Sequence, residues 1–173
     1  TGFGGAWSVK SSGTASAVSS LSVTSLTKTT RIILTNFIGS VDPTNVGLQT
    51  ISNNGSSYDN GGSDYRMTFH YNEYSQSGYQ QQNQENNGIY AMTSIGNGAL
   101  DNNIYDVTLF SPANVGRHKM LQIMNYQYEH SNGVAHLRMG YAQRKSGSII
   151  NAVQFFLTVG STFSCDYIYL ELN

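Results

Sequence analysis

The sequence is short of charge. Only 11% of its 173 residues are Asp, Glu, Lys or Arg, and the net charge is −1, whereas an average soluble domain is about 25% charged. A surface that binds nucleic acid needs clustered Lys and Arg, so no nucleic-acid partner is expected. Neutral polar residues take the place of charge: Ser, Thr, Asn and Gln together number 63.

Cysteine, proline and long apolar runs are also scarce. Cys165 is the only cysteine, which excludes an intrachain disulfide framework and a metal site built from cysteines. It is expected to be a small, partly buried residue in a protein made in a reducing compartment. No run approaches the roughly 18 apolar residues of a membrane helix, and no basic segment precedes an apolar stretch. Neither membrane insertion nor a signal peptide is therefore expected.

Alternation with a period of two is the dominant pattern. Over Tyr65–Asn72, large side chains alternate with polar ones, as in a half-buried strand. Residues 120–128 carry apolar side chains at both parities, which indicates a strand covered on both faces. Further strands are predicted at Ala6–Ser11, Ala15–Leu26, Arg31–Phe37, Val46–Ile51, Ile89–Ile95, Ile104–Phe110, Val134–Gln143, Ile149–Val159 and Ser164–Leu172.

Turn signals separate these strands. Asn132-Gly133 is the strongest hairpin signal, because Asn-Gly supplies the positive φ angles of a two-residue loop. About ten short strands with such punctuation predict an all-β protein with a single jelly-roll-like antiparallel β-sandwich. Residues 1–6 are expected to form a flexible lead-in and residues 7–173 the sandwich domain.

The segment Asn72–Gly88 lacks this rhythm and is rich in amides. It is interpreted as a long loop, for which two roles stand: a solvated insertion, or a recognition loop. Tyrosine rings offer rigid contact area, and amides both donate and accept hydrogen bonds. For the second role, the predicted ligand-binding residues are Tyr71, Tyr74, Tyr79, Gln81 and Asn83, with Trp7 as a weaker candidate outside the segment.

Catalytic and metal-binding patterns are weak. The four histidines (His70, His118, His130 and His136) have no metal-ligand spacing, and no Gly-x-Ser-x-Gly elbow supports a triad that uses Asp106. Carboxylates near loop ends are few: Asp59, Asp64, Asp101 and Asp106. The run Asp59–Asp64 has the oxygen-rich composition of a calcium loop but lacks its twelve-residue spacing, and a tight turn explains it. No catalytic residue, metal or cofactor is expected.

The last third carries a resemblance. Ile149–Phe156, the turn Gly160–Ser164 and Asp166–Leu172 resemble the closing β-hairpin of bacteriophage tail-fibre, receptor-binding and capsid-decoration β-sandwich proteins, which end in "I-x-x-I/V-x-F", a Gly/Ser turn and "I-x-L-Y-G-L". Here Tyr169-Leu170-Glu171-Leu172 departs from that ending and lacks the glycine. Trp7–Lys10 and Asp59–Tyr65 resemble the "W-x-L-I" and "D-x-G-x-x-Y" segments of the same proteins.

The resemblance implies a non-enzymatic virion structural or adhesion protein, commonly a homotrimer, made in the host cytoplasm and located in the virion. Its partners would be other capsid or tail proteins, or a host-surface glycan. The sequence leaves both open, since a neutral surface rich in Tyr and amides suits sugar hydroxyls and subunit contacts alike. The alternative function is a glycan-degrading or esterase domain built on the Asp and His residues near loop ends.

Overall fold

The computed structural model describes residues 5–41, 44–52, 57–73, 80–95, 102–129, 134–158 and 160–173. Within these ranges the regular structure consists of strands, and no helix is long and apolar enough to cross a membrane. In chain order the strands are β1 Trp7–Val18, β2 Ser20–Thr24, β3 Thr30–Gly39, β4 Thr44–Ser52, β5 Tyr65–Glu73, β6 Gln80–Asn86, β7 Ile89–Ile95, β8 Asn102–Phe110, β9 Lys119–Glu129, β10 Val134–Arg144, β11 Ile150–Leu157 and β12 Phe163–Leu172.

The strands form two antiparallel sheets packed as a sandwich. The large sheet has the order β1-β12-β3-β8-β9-β10-β5-β6, and the small sheet the order β2-β11-β4-β7. The run β1 to β4 pairs with β12, β11, β8 and β7, one strand at a time, and successive partners alternate between the sheets. This is one long antiparallel ribbon rolled into a sandwich, the jelly-roll topology. The predicted fold class is confirmed.

The remaining four strands extend the large sheet. β9, β10, β5 and β6 continue outward from β8, so the large sheet has twice as many strands as the small one. β7, at the edge of the small sheet, contacts β9, β10 and β5 and covers part of the inner face of this extension. The outer face of the large sheet, which is the face turned away from the small sheet, has no second layer among the described residues.

Alternation along the strands builds the core. Tyr65, Met67 and Phe69 of β5 point inward and are almost fully buried, as the pattern predicted. An aromatic cluster joins three strands of the large sheet: the ring centroids of Phe37 and Phe163 are 4.6 Å apart, and those of Phe37 and Tyr105 are 5.1 Å apart. Both arrangements are favourable for aromatic pairs.

A β-bulge in β3 is held by polar side chains. Asn36 has a φ of 52° and lies where the register between β3 and β12 shifts. Its amide donates to Asp166 Oδ2 at 2.8 Å, while the Thr14 hydroxyl donates to Asp166 Oδ1 at 2.6 Å. The buried Asn103 amide donates to the Phe37 carbonyl at 2.8 Å, so the bulge leaves that oxygen paired.

Three predictions about individual elements are wrong. The break between the first two strands falls at residue 19, near the positive φ of Ala17, and not between Ser11 and Ala15. Asn72–Gly88 is not a long loop, since its two ends belong to β5 and to the paired strand β6. The last two strands do not form a hairpin: β11 pairs with β2 and β4, whereas β12 pairs with β1 and β3 in the other sheet.

Other boundaries agree with the sequence. β7 covers Ile89–Ile95 as predicted, and the remaining predicted strands differ from the observed ones by two residues or fewer at either end. β9 and β10 are antiparallel neighbours, with Val134 opposite Glu129, as the hairpin signal required. The turn residues Asn132 and Gly133 lie outside the described residues.

Gly140 provides a test of packing between β10 and β5. A Cβ at this position would lie 2.2 Å from the Thr68 carbonyl oxygen and 2.5 Å from Phe69 Cδ1. We therefore expect Gly140→Ala to lower the free energy of unfolding by about 1–3 kcal/mol, measured by urea denaturation. Gly62→Ala is the control, because a Cβ there meets no atom within 4 Å. Equal stability of the two variants would contradict the packing described.

Candidate functional site

The outer face of the large sheet is the most unusual surface of the molecule. Twelve large hydrophobic side chains are exposed among the described residues, and ten of them lie on this face. They are Trp7, Val9, Phe110, Met120, Met124, Tyr126, Leu137, Met139, Tyr141 and Ile168. Scattered exposed apolar residues are ordinary, but a contiguous apolar patch marks an interaction surface.

The centre of this patch lies on β9 and β10. Met124 is directly opposite Met139, and Tyr126 is opposite Leu137, and each of these side chains is more than 40% exposed. Three of the five methionines are in the patch; methionine side chains adapt to the shape of a partner at low cost. The prediction that the strand at residues 120–128 is covered on both faces is wrong: one set of its apolar side chains is in the core, and the other is exposed on the outer face.

One ion pair lies beside the apolar patch. Arg31 Nε donates to Asp106 Oδ1 at 2.9 Å, and Arg31 Nη2 donates to Asp106 Oδ2. The Arg31 side chain is 38% exposed and that of Asp106 is 12% exposed. The hydrogen bond to Asp106 raises the pKa of Arg31 further above its ordinary value, and the formal charges of the two side chains cancel.

Two depressions flank β9 on the outer face. The first, which we call the Trp7 basin, has a volume of about 340 Å³ and is lined by Trp7, Arg31, Asp106, Thr108, Phe110, Gln122 and Met124. The second, of about 330 Å³, lies over β9, β10 and β5 and is lined by Thr68, His70, Gln122, Ile123, Met124, Met139, Gly140 and Tyr141. The first combines aromatic and charged groups, whereas the second is mainly apolar.

The predicted ligand-binding residues are only partly covered by the structure. Tyr71 is on β5, where its backbone pairs with Arg138 and Gln80. Gln81 and Asn83 are on β6, opposite His70 and Thr68, and Tyr74 and Tyr79 lie outside the described residues. Trp7, the weaker candidate, lines the basin.

The carboxylates of Asp59 and Asp64 are engaged by one arginine. Arg144 Nε lies 3.1 Å from Asp59 Oδ2, and Arg144 Nη1 lies 3.2 Å from Asp64 Oδ1. Asp59 Oδ2 also accepts hydrogen bonds of 2.7 Å from the hydroxyls of Thr50 and Ser52. The run that resembles a calcium loop is therefore a turn held by a guanidinium, and no group of three potential metal-ligating side chains occurs in the described part of the chain.

The pKa of Asp59 is shifted in the direction opposite to that of a general acid. Burial is the largest influence and acts to raise this pKa, but the hydrogen bonds from Arg144, Ser52 and Thr50, with the positive charge of Arg144, outweigh it and hold the pKa below its ordinary value. A glycosidase acid needs the opposite, a carboxyl whose pKa is raised towards neutrality. The environment of Asp59 stabilises the charged form and so serves the fold.

The remaining catalytic candidates are dispersed. His70 and Asp106 share a row on the outer face but are separated by Met124 and Met139; three strand spacings amount to about 14 Å, which exceeds hydrogen-bond reach. His118 is exposed in the loop before β9 and His136 is buried on β10, while Asp101 and His130 lie outside the described residues. His70 and Asp106 are therefore too far apart to form an acid–base pair.

Cys165 is fully buried on the inner face of β12, at 2% exposure. Burial is the main cause that raises the pKa of its thiol to about 12, with a smaller effect from the neighbouring Asp166. The thiolate, which is the reactive form, is therefore negligible at neutral pH. Cys165 acts as a small core residue.

Sequence inspection alone missed both arginine clusters. Arg31 and Asp106 are 75 positions apart, and Arg144 and Asp59 are 85 positions apart. Strand pairing within the large sheet brings Arg31 and Asp106 together. Packing at the end of that sheet brings Arg144 and Asp59 together. No local motif marks such pairs, although alternation did place Arg31 and Asp106 on predicted strands or near their ends.

The Asp59 site makes stability depend on pH. Because the pKa of Asp59 is lower in the folded chain, its carboxylate stabilises the fold above the unfolded value of about 4, and this stabilisation is lost as the pH falls through the folded pKa. We expect Asp59→Asn to cost about 1–3 kcal/mol at pH 7 and to unfold with a shallower dependence on pH below about 4.

Urea denaturation between pH 7 and pH 2 measures both effects, and Asn60→Ala is the control, since Asn60 is the exposed neighbour. If Asp59→Asn and the unmodified chain lose stability in parallel on acidification, the role assigned to this carboxylate is incorrect.

Comparison of the chain with protein-family models, with curated proteins and with solved structures gives no match.

Proposed function

We propose that this chain is a non-enzymatic structural protein of a bacteriophage virion, and that it assembles with further copies of itself through the part of the outer face formed by β9, β10, β5 and β6. The expected assembly is a homotrimer, and other capsid or tail proteins would be its neighbours in the particle. It would be made in the host cytoplasm and incorporated into the virion. The observation that carries the proposal is the uncovered apolar outer face.

The dimensions of this face suit a subunit interface. The four strands β9, β10, β5 and β6 together are about 19 Å wide at the usual strand spacing, and ten residue steps along β9 cover about 33 Å. The resulting flat area of roughly 600 Å², increased by side-chain relief, is close to the roughly 800 Å² that each partner contributes to a stable interface.

Charge favours a second copy as the occupant. The charges on the outer face of the described strands from β12 to β5 are the Arg31–Asp106 pair, whose formal charges cancel, Asp166 on β12 and Arg66 on β5. Copies of this face arranged around the axis of a trimer can therefore approach one another without strong repulsion between like charges. A basic or acidic partner would find no complementary field there.

The virion assignment has two supports. The first is the resemblance of short segments to phage β-sandwich proteins. The closing segments contribute less to this resemblance, because β11 and β12 belong to different sheets and form no hairpin. The second is the jelly-roll topology, which viral capsid proteins and lectins share. Since one fold serves many functions, this second support is an analogy.

Light scattering after gel filtration at micromolar concentration tests the assembly. We expect three times the chain mass of 18.9 kDa. The double variant Met139→Glu/Tyr141→Glu should be monomeric and folded, because it places charge at the centre of the face. Val115→Glu is the matched control: Val115 is 70% exposed in a loop away from the face, so this variant should keep the mass of the unmodified chain. A monomeric unmodified chain would refute the assembly.

Mass spectrometry of purified phage particles tests the location. If the protein is structural, its peptides should persist in particles through density-gradient purification, at a constant ratio to the major capsid protein. Peptides that appear only in the infected-cell lysate, and not in particles, would refute a virion role even if the chain is a trimer.

A further inference from the structure

We infer that the Trp7 basin binds one uncharged pyranose ring of a carbohydrate. This site goes beyond the proposed assembly, which needs no ligand, and it is separate from the tyrosine and amide residues of β5 and β6 that the sequence favoured. Three features of the basin carry the inference: its aromatic wall, its fixed array of donors and acceptors, and its zero net charge.

The aromatic wall is formed by Trp7 and Phe110, which are 39% and 41% exposed. Trp7 is on the edge strand β1, yet its side chain lines the same basin as Asp106 of β8, although β12 and β3 lie between these strands. An exposed indole beside a polar depression presents a flat apolar surface, on which the C–H face of a sugar ring can stack while its hydroxyls point to the polar side.

The polar side is held in a fixed geometry by the Arg31–Asp106 pair. Arginine has five N–H donors. Asp106 accepts hydrogen bonds from the one N–H on Nε of Arg31 and from one of the two N–H groups on Nη2. The other three N–H groups of Arg31 donate to no acceptor among the described residues, and Asp106, whose carboxylate oxygens can each accept more than one hydrogen bond, lines the same basin. Adjacent donors and acceptors suit vicinal hydroxyls, because each hydroxyl both donates and accepts.

Gln122 and Thr108 complete this array. They are directly opposite each other on β9 and β8, and both line the basin. An amide and a hydroxyl can each donate and accept, so they can pair with further hydroxyls whatever their orientation. Because all four polar side chains arise from paired strands, their backbone positions are set before a ligand arrives, which reduces the entropy cost of binding.

Charge and size define the ligand class. Arg31 and Asp106 cancel, so an anionic sugar or a phosphate gains little from Arg31 that Asp106 does not offset. The volume of about 340 Å³ equals that of about eleven water molecules at roughly 30 Å³ each. This space accommodates one hexose ring with its hydroxyls and leaves room for a few waters.

The single tryptophan makes the test direct. Trp7 is the only Trp, so intrinsic indole fluorescence reports on this basin alone. The probes are the methyl glycosides of glucose, galactose, mannose and rhamnose, each titrated to about 50 mM, a range that detects millimolar dissociation constants. We expect a saturable change in Trp7 emission for at least one of them, and none for glucuronate at equal ionic strength.

Variants of the basin separate a specific site from a general effect. Asp106→Asn should weaken binding of the active glycoside at least about tenfold, and Gln122→Ala at least about fivefold. Trp7→Ala, followed by saturation-transfer NMR of the glycoside, should abolish binding. Ile168→Ala is the matched control, since Ile168 is an exposed residue of the same face outside the basin; it should bind as the unmodified chain does. Unchanged thermal unfolding shows that each variant is folded.

The outcome is independent of the assembly. Met139→Glu/Tyr141→Glu, whose substitutions are on β10 away from the basin, should keep glycoside binding even as a monomer. Titration with dextran and mannan then distinguishes a unit of a surface polysaccharide from a free sugar. No saturable response to any of the four glycosides, or equal binding by Asp106→Asn, would overturn the inference.

Discussion

The carboxylate of Asp59 ties the two sheets together. Asp59 accepts hydrogen bonds from Thr50 and Ser52 of the small sheet and from Arg144 at the end of β10 in the large sheet. Tyr65 reinforces the tie, since its hydroxyl accepts from the Thr50 amide at 2.8 Å and donates to the Asp59 carbonyl at 3.0 Å. The jelly-roll strands have their own apolar core, and this anchor joins the small sheet to the outward extension of the large sheet, which contains β9 and β10.

The outer face divides into parts of different chemistry. β9 and β10 contribute thioethers and aromatic rings with almost no charge, which suits a protein surface that must adapt to a partner. The side towards β8 and β3 carries a rigid ion pair, an amide and an indole, which suits a ligand with many hydroxyls. Met124 and Gln122 line both depressions, so the two parts meet along β9. A partner seated on β9 and β10 would thus form a rim beside the basin.

The fold class was predictable because alternation is local, whereas the pairing of individual strands was not. The side-chain patterns of two segments, Tyr65–Asn72 and Ile89–Ile95, indicate strands. β6 is a run of amides without apolar alternation, so only its ladder with β5 reveals it. β11 and β12 follow each other across a turn, which in the sequence is indistinguishable from a hairpin, yet they cross between sheets. Trp7 stands out in the sequence as the only tryptophan. Arg31 and Asp106, in contrast, become partners only through the pairing of β3 with β8.

The pairing of β1 with β12 constrains how this chain can fold. Trp7 is opposite Leu172, so these neighbours in the sheet are separated by almost the whole chain. Every other pair of the rolled ribbon is also non-local, including β4 with β7, where Leu48 is opposite Ile89. Such topologies close slowly, because the entropy of large loops must be overcome before the contacts form. During synthesis, β3 would keep a bare edge until β12 leaves the ribosome, and β1 would wait for the same strand. The wall of the Trp7 basin is then among the last parts of the molecule to be assembled.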